Sequence, residues 1–160
     1  MEMEKQMTTE VRKIESAEEK RRICRAILEA LPEWFGIPQA REEYVSGSAD
    51  KRFFAAMDGE NPVGFLYLKE TGRDTVELYV MGVLKARHRT GAGRALVEAA
   101  KRAAREAGYA FMQVKTVQMG KYAEYDATNR FYLAMGFREF EVFPHLWDEW
   151  NPCQVYVMGL

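Results

Sequence analysis

Residues 77–94 read ELYVMGVLKARHRTGAGR. The first seven letters form an apolar run typical of a β-strand, and the glycines at 91 and 93 precede an alanine-rich run with helical spacing. A strand that enters a glycine-containing turn and then a helix brings free backbone N–H groups to the positive end of that helix. Glycine in such a turn lets the backbone approach a ligand closely. The stretch therefore predicts an anion-binding turn between a strand and a helix.

The same stretch is cationic. No acidic residue lies between Glu77 and Glu98, whereas the whole chain is nearly neutral, with 23 basic and 24 acidic residues and a net charge of -1. This balance offers no overall attraction for nucleic acid or an anionic membrane. The cations of the stretch either bind a small anion at the turn or form a solvated surface. They are Lys85, Arg87, Arg89 and Arg94, with His88 among them.

Two common phosphate-binding motifs do not fit this turn. A dinucleotide-binding fingerprint needs Gly or Ala three residues after Gly93, where Leu96 stands. A P-loop for nucleoside triphosphates needs Gly-Lys-Ser/Thr, which the stretch lacks. The sequence therefore excludes both of these ligand classes at the turn.

Outward from the turn, periodicity predicts a single α/β (α+β) domain over residues 1–160, with the element order β, α, α, β, β, β, α, β, α, β, β. Three consecutive strands joined by short turns indicate an antiparallel meander, and the later strand–helix–strand segments require a parallel pairing, so the sheet is mixed. Ser16 and Asp126 are the expected N-caps of the first and last helices. We expect strands at 11–14, 53–57, 63–68, 76–83, 111–116, 137–143 and 154–158, and helices from Ser16 to Pro32, at 38–45, from the glycine turn to Gly108 and at 127–135.

The composition is that of an ordinary globular chain of 160 residues, 48% of them hydrophobic. Cys24 and Cys153 have neither a zinc-binding spacing nor the pattern of a disulfide framework, so we expect both to pack in the core and expect no metal site. Residues 1–7 are polar and acidic, and we expect them to be disordered rather than a secretory signal. Because no run of about 18 apolar residues is present, we expect a cytoplasmic protein.

Two motifs make the chain resemble the GNAT superfamily of acyl-CoA-dependent N-acetyltransferases. The run HRTGAG at 88–93 is similar to the family's acyl-CoA-binding motif, Gln/Arg-x-x-Gly-x-Gly/Ala, with His at the first position. About 40 residues later, NRFYLAMGF at 129–137 resembles the family's Phe-Tyr-x-x-x-Gly-Phe segment. The resemblance covers roughly residues 8–160. It implies a mixed, mostly antiparallel central sheet of about six or seven strands, flanked by about four helices.

By this resemblance the protein transfers an acetyl group from its cosubstrate acetyl-CoA to an amine of a small molecule or a peptide. Glu77 matches the family's general base, and Tyr132 matches the tyrosine that protonates the departing thiolate. Strand residues would pair with the pantetheine amides, and Lys85 or Arg94 would reach the nucleotide phosphate. The residues expected to bind the cofactor are Met81, Val83, His88, Arg89, Thr90, Gly91, Ala92, Gly93, Arg94 and Asn129.

Each assignment has an alternative. Glu77 can be a solvent-facing strand carboxylate, Tyr132 a core tyrosine, and the whole chain a non-catalytic acyl-CoA-binding module. Residues 143–150, FPHLWDEW, line an acceptor pocket together with Tyr122 and Tyr125, or form a dimer contact or a core lid. The sequence identifies neither the acceptor nor the oligomeric state, a homodimer included. It predicts no nucleic-acid or membrane partner.

Overall fold

The computed structural model describes residues 9–160, so the predicted disorder of residues 1–7 lies outside the described residues. The described chain has an α/β fold. Its strands are β1 (Glu10–Ile14), β2 (Arg52–Asp58), β3 (Asn61–Glu70), β4 (Thr75–Val83), β5 (Phe111–Val117), β6 (Arg138–Phe143) and β7 (Cys153–Gly159). Its α-helices are α1 (Ala17–Glu29), α2 (Pro38–Gly47), α3 (Ala92–Glu106) and α4 (Ala123–Ala134). Among these helices, none combines the length and the hydrophobicity that a membrane crossing requires.

The strands form one seven-stranded sheet in the order β1-β2-β3-β4-β5-β7-β6. β1 pairs antiparallel with β2, and β7 pairs antiparallel with both β5 and β6, whereas β4 and β5 run parallel. The parallel pairing extends from Thr75↔Phe111 to Glu77↔Gln113, the first three residues of each strand. The mixed, mostly antiparallel sheet and the four helices that the sequence predicts are confirmed.

Residue contacts divide the chain into two compact units, of which the first comprises the residues up to Tyr67 and Met81–Ala99. In this unit Ser16 Oγ accepts a hydrogen bond from the Glu19 N–H group at 3.2 Å, as the capping pattern predicts. The apolar residues of α1 recur at helical spacing and form its buried face. They are Ile23, Cys24, Ile27 and Leu28.

The second unit comprises Leu68–Val80 and Ala100–Leu160. α4 packs against β5 in this unit. Because side chains alternate along a strand, β5 has one covered face and one open face. Its buried residues include Met112, Val114 and Thr116, whereas the residues that alternate with them, Phe111, Gln113 and Lys115, are exposed or half-buried.

The last helix differs from its predicted form. α4 starts at Ala123, four residues before the predicted start, and the prediction that Asp126 is its N-cap is wrong. Asp126 lies in the first turn of the helix, where its Oδ1 accepts a hydrogen bond from the Gly120 N–H group at 2.7 Å. The carboxylate therefore closes the turn that precedes the helix, and its negative charge is favourable near the helix N-terminus.

Cys24 and Cys153 are both free and buried, which confirms that they pack in the core. Burial raises the pKa of Cys24 to about 12 and the pKa of Cys153 to about 11. Because the thiolate is the reactive form, neither side chain is a nucleophile near neutral pH.

We expect iodoacetamide to leave both thiols unmodified in the folded protein at about pH 8, and to alkylate both after denaturation in guanidinium chloride. An unfolded chain releases these protons near pH 9.0, whereas the folded chain keeps them to about pH 11–12. The unfolded state then binds fewer protons, so the free energy of unfolding falls as the pH rises above about 9. Mass spectrometry of the intact protein measures the labelling. Rapid labelling of either thiol in the folded protein would contradict the assigned burial.

Candidate active site

The glycine turn connects β4 to α3. β4 ends at Val83, and a 3-10 turn at Lys85–Arg87 leads toward the start of α3 at Ala92. Arg89 and Gly91 have left-handed backbone conformations, with φ of 63° and 90°. Alternation of left-handed and other conformations directs successive N–H groups to one side, which forms an anion-binding concavity. The first N–H groups of α3 have no acceptor within the helix. The turn therefore offers backbone donors at the positive end of a 15-residue helix.

Gly91 is needed for its backbone conformation rather than for space. A Cβ atom there would meet no atom within 4 Å, but a residue with a side chain rarely adopts a φ of 90°. Arg89 holds its left-handed conformation at a cost of roughly 1 kcal/mol. Backbone strain of this kind concentrates at ligand-binding sites, because the surrounding structure must enforce it.

The side chains of His88 and Thr90 support the turn from within. His88 Nε2 lies 2.8 Å from the carbonyl oxygen of Val83, and its ring packs edge-on against Trp34 with centroids 5.9 Å apart. Thr90 Oγ1 donates a hydrogen bond to the carbonyl oxygen of Arg87 at 2.5 Å. The backbone N–H groups of His88 and Thr90 also donate to carbonyl groups within the turn. The geometry therefore supports a role in holding the turn, and their predicted contacts with a cofactor stay predictions.

Acidic residues from elsewhere in the chain pair with two of the four cations. Lys85 Nζ lies 2.5 Å from Glu33 Oε1, and Arg87 Nη2 lies 2.5 Å from Asp58 Oδ2. The remaining two are exposed and form no ion pair with a residue in 9–160: Arg89 and Arg94. The sequence assigns Lys85 or Arg94 to a nucleotide phosphate. Of these two, Arg94 is the one whose charge no residue in 9–160 compensates.

In the second unit, Glu77 is buried, with 4% of its surface exposed. Its Oε1 accepts a hydrogen bond from Lys115 Nζ at 2.9 Å, and the Lys115 side chain is 31% exposed. The alternative that Glu77 is a solvent-facing carboxylate is therefore wrong. A buried charge is costly without a partner, and Lys115 compensates it. The sequence pattern does not indicate Lys115, because a single lysine in a strand carries no local signal for such a pair.

Tyr132 on α4 is buried, and its ring lies 5.6–6.3 Å, centroid to centroid, from the rings of Phe131, Phe137 and Tyr156. Burial raises the pKa of Tyr132 above its ordinary value, with a smaller contribution from Tyr125. The hydroxyl therefore stays protonated at neutral pH. No described residue forms a hydrogen bond with it. The ring packs as a core tyrosine would, but the hydroxyl remains available to a ligand.

Asn129, one helical turn before Tyr132, is fully buried. Its Nδ2 donates to the carbonyl oxygens of Val117 and Tyr125 at 2.8 and 2.7 Å, and its Oδ1 accepts from the Tyr156 hydroxyl at 2.6 Å. Both amide hydrogens are thus used within the protein. Asn129 ties α4 to β5 and β7, which supports a positioning role. The contact with a cofactor that the sequence assigns to it stays a prediction.

Two adjoining cavities lie on the open face of the second unit, with volumes of about 510 and 250 Å³. Of the segment 143–150, Phe143 and Leu146 line the smaller cavity. Tyr122 and Tyr125, which the sequence also assigns to an acceptor pocket, line neither cavity. Their rings pack against each other, with ring centroids 6.1 Å apart. The alternative that 143–150 is a core lid is wrong, because all eight of its residues are exposed. The smaller cavity is lined by Gln113, Lys115, Phe140, Phe143, Leu146 and Val155.

Within residues 9–160, no three His, Cys, Asp or Glu side chains are grouped so that they could hold a metal ion. The described residues offer backbone N–H donors, a buried carboxylate paired with a lysine, and a protonated tyrosine.

Residues 49–139 match the family model described as Acetyltransferase (GNAT) domain. No curated protein matches the chain. Among solved structures, the chain is similar to a GNAT-family protein from Desulfovibrio desulfuricans, with a TM-score of 0.79 and 20% identity over 95% of this chain and 99% of that one.

Two further solved structures are similar to the chain. One is a protein from Salmonella typhimurium with its cofactor acetyl-CoA, with a TM-score of 0.71 and 16% identity over 95% of this chain and 94% of that one. The other is the ribosomal-protein-S18-alanine N-acetyltransferase from Escherichia coli, with a TM-score of 0.73 and 15% identity over the same shares. At these identities the likeness shows the fold alone.

Proposed function

The chain belongs to the GNAT family of acetyltransferases, and on that premise we propose that it transfers an acetyl group from acetyl-CoA to an amine of a small molecule or a peptide. The observation that carries the proposal is the turn between β4 and α3, where Arg89 and Gly91 have φ of 63° and 90°. This turn lies inside the region that matches the family model. Its donors suit the pyrophosphate of CoA, which needs several N–H groups at close range.

In the proposed complex, the pyrophosphate accepts hydrogen bonds from the backbone N–H groups of 91–94. The guanidinium groups of Arg89 and Arg94 compensate its charge. Met81 and Val83 supply backbone groups for the pantetheine amides. His88 and Thr90 keep the turn in its binding conformation.

The proposed reaction is a direct attack of the amine on the thioester. An ammonium group cannot attack, so Glu77 accepts its proton, directly or through water. The amine nitrogen then forms a bond with the carbonyl carbon, backbone N–H groups near Val83 stabilise the oxyanion, and the bond from carbon to sulfur breaks. After the attack the nitrogen loses its second proton, and the sulfur takes up one proton while the Tyr132 hydroxyl donates a hydrogen bond to it. Glu77 then releases its proton to water. An ammonium acceptor and acetyl-CoA thus give an acetyl amide, CoA with a free thiol, and one proton released to water.

The pKa of Tyr132 shapes its proposed role. A free tyrosine has a pKa of about 10 and a thiol one of about 8.5, so complete proton transfer from tyrosine to thiolate is uphill. Burial raises the pKa of Tyr132 further. Its hydroxyl therefore acts chiefly as a hydrogen-bond donor to the developing thiolate, and it stays protonated in the alkaline range where amines become reactive.

The first test is thermal stabilisation by acetyl-CoA and by CoA. A ligand that binds the folded state at about 100 times its dissociation constant stabilises it by about 2.7 kcal/mol, and we expect a corresponding rise in Tm. No shift with either compound would overturn the proposal. Release of free thiol from acetyl-CoA in the presence of an amine panel then distinguishes an enzyme from a non-catalytic acyl-CoA-binding module.

A pair of glycine variants controls this test. Gly91 and Gly108 have φ of 90° and 92°, and a Cβ at either position would meet no atom within 4 Å. Gly91→Val and Gly108→Val therefore introduce the same backbone strain. We expect the acetyl-CoA shift to be lost in Gly91→Val and kept in Gly108→Val. The cytoplasmic location and the homodimer stay predictions.

A further inference from the structure

We propose that the acceptor is a free α-amino acid with a large apolar side chain, whose carboxylate binds Lys115 and whose amine is delivered to Glu77. This inference rests on the proposed function and specifies the substrate class of the same site. It follows from the ion pair between Lys115 and Glu77 and from the composition of the smaller cavity.

The ion pair presents two opposite charges at close spacing. Lys115 Nζ lies 2.9 Å from Glu77 Oε1, and no described residue donates a hydrogen bond to the other carboxylate oxygen, Oε2. An α-amino acid carries its amino and carboxylate groups on one carbon, which by standard bond lengths separates the nitrogen from a carboxylate oxygen by roughly 3 Å. A zwitterion of this size can therefore place its carboxylate on the ammonium and its amine on the carboxylate at the same time.

Lys115 also connects this pair to the smaller cavity, which it lines. The cavity volume of about 250 Å³ is below the range of drug-sized ligand pockets, about 300–1,000 Å³, so it suits one amino-acid side chain. Its walls are mostly apolar, with Phe140, Phe143, Leu146 and Val155. An aromatic or aliphatic side chain gains hydrophobic burial there.

The charges of the cavity disfavour polycationic acceptors. Among residues 9–160, no acidic residue lines either cavity, and the one charged side chain that lines the smaller cavity is Lys115. A polyamine or an aminoglycoside would bring several positive charges toward that ammonium. An acceptor with an amine but no carboxylate would compete with Lys115 for Glu77, whereas an amino acid supplies a replacement partner for the lysine.

In the resulting step, the amine of the bound amino acid gives its proton to Glu77 and attacks the thioester carbon. The new bond joins nitrogen to the acetyl carbon, and the bond from that carbon to sulfur breaks. The nitrogen loses its second proton after the attack, and the departing sulfur takes it up. The products are therefore an N-acetyl amino acid, CoA with a free thiol, and one proton that Glu77 releases to water. The carboxylate of the amino acid stays on Lys115 and takes no part in the bond changes.

The test compares L-phenylalanine with L-phenylalaninamide, which has the same amine and side chain but no carboxylate, and with spermidine. Thiol release from acetyl-CoA is measured for each. We expect kcat/KM for the acid to exceed that for the amide by about 10- to 100-fold, the effect of one charge-assisted hydrogen bond. Equal or faster turnover of the amide or of spermidine would overturn the inference, as would no turnover of phenylalanine, leucine or tryptophan.

Variants of Lys115 test whether this residue causes the preference for the acid over the amide. Lys115→Met should bring the acid-to-amide ratio to about one, chiefly by raising KM for the acid, and Lys115→Arg should keep part of the preference. Lys13→Met is the matched control, because Lys13 lies on a strand and pairs with Glu15 at 3.4 Å. A preference that persists in Lys115→Met would contradict the assignment.

A second variant covers the case in which Lys115→Met does not fold. Leu146 is 52% exposed at the cavity, so Leu146→Asp should fold and should lower the turnover of phenylalanine by adding a negative charge beside its side chain. Unchanged turnover in that variant would overturn the inference. A thermal shift with acetyl-CoA distinguishes failure of the acceptor inference from failure of the proposed function. If acetyl-CoA stabilises the protein but the acceptor preference is wrong, only the inference about the acceptor is refuted. If acetyl-CoA gives no stabilisation, the proposed function is refuted as well.

Discussion

Replacement of Glu77 with glutamine is expected to lower kcat by about 10²–10⁴-fold, the range for lost general-base catalysis. Glutamine has nearly the shape of glutamate, and its amide oxygen can still accept the hydrogen bond from Lys115. It cannot take a proton from the acceptor amine. Because Glu77 is only 4% exposed, bulk water has little access to replace it. Thiol release measures kcat, and an unchanged thermal shift with acetyl-CoA shows that cofactor binding is intact.

The pH dependence of the variant adds a second readout. Without Glu77, the acceptor must lose its proton to solvent before binding, so the residual rate should rise about tenfold per pH unit up to the pKa of the amine itself. Glu10→Gln is the matched control, because Glu10 is an exposed strand glutamate that pairs with Arg12 at 3.4 Å. The control should keep its kcat. If Glu77→Gln also keeps its kcat, another group or water removes the proton and Glu77 has no role as base.

The glycine turn is predictable from sequence because its signals are local. The apolar run before it, the glycines at 91 and 93 and the helical spacing after it lie within about 20 residues, and each reports a backbone preference. The strand order around the turn follows from the short connections between neighbouring strands. The left-handed conformation of Arg89, in contrast, is enforced by the surrounding fold and has no counterpart in the residue type.

The partners of the charged residues are not predictable in the same way. Lys115 is 38 residues from Glu77, and Glu33 is 52 residues from Lys85. Such pairs depend on which strands and loops become neighbours, and no local pattern records this. Consequently the acid-free stretch from 78 to 97 is cationic in sequence, whereas the fold compensates part of its charge. The open face that forms the two cavities is a property of packing and is likewise absent from the sequence pattern.

Replacement of Asn129 with alanine is expected to lower the free energy of unfolding by about 3 kcal/mol. The side chain is fully buried and forms three hydrogen bonds, so the variant removes the side-chain partner of the Val117 carbonyl group and of the Tyr156 hydroxyl. The Tyr125 carbonyl group loses its side-chain bond but keeps its place in the backbone ladder of α4. Each buried polar group left unpaired costs about 1–3 kcal/mol, and water that enters the space recovers part of the loss. Denaturant unfolding measures the change, and Asn61→Ala, at an exposed strand residue, is the control with little effect.

A double-mutant cycle with Tyr156→Phe tests whether the network itself accounts for this loss. The two substitutions remove the same hydrogen bond, so their effects should overlap by about 1–2 kcal/mol rather than add. Because Tyr132 follows Asn129 by one helical turn, the variant should also lower kcat while the apparent affinity for acetyl-CoA stays within about threefold. The opposite result would be a loss of stability below about 1 kcal/mol together with an affinity for acetyl-CoA that falls about tenfold or more. That result would identify Asn129 as the cofactor contact that the sequence motif predicts, because the loss of one hydrogen bond to a ligand has this magnitude.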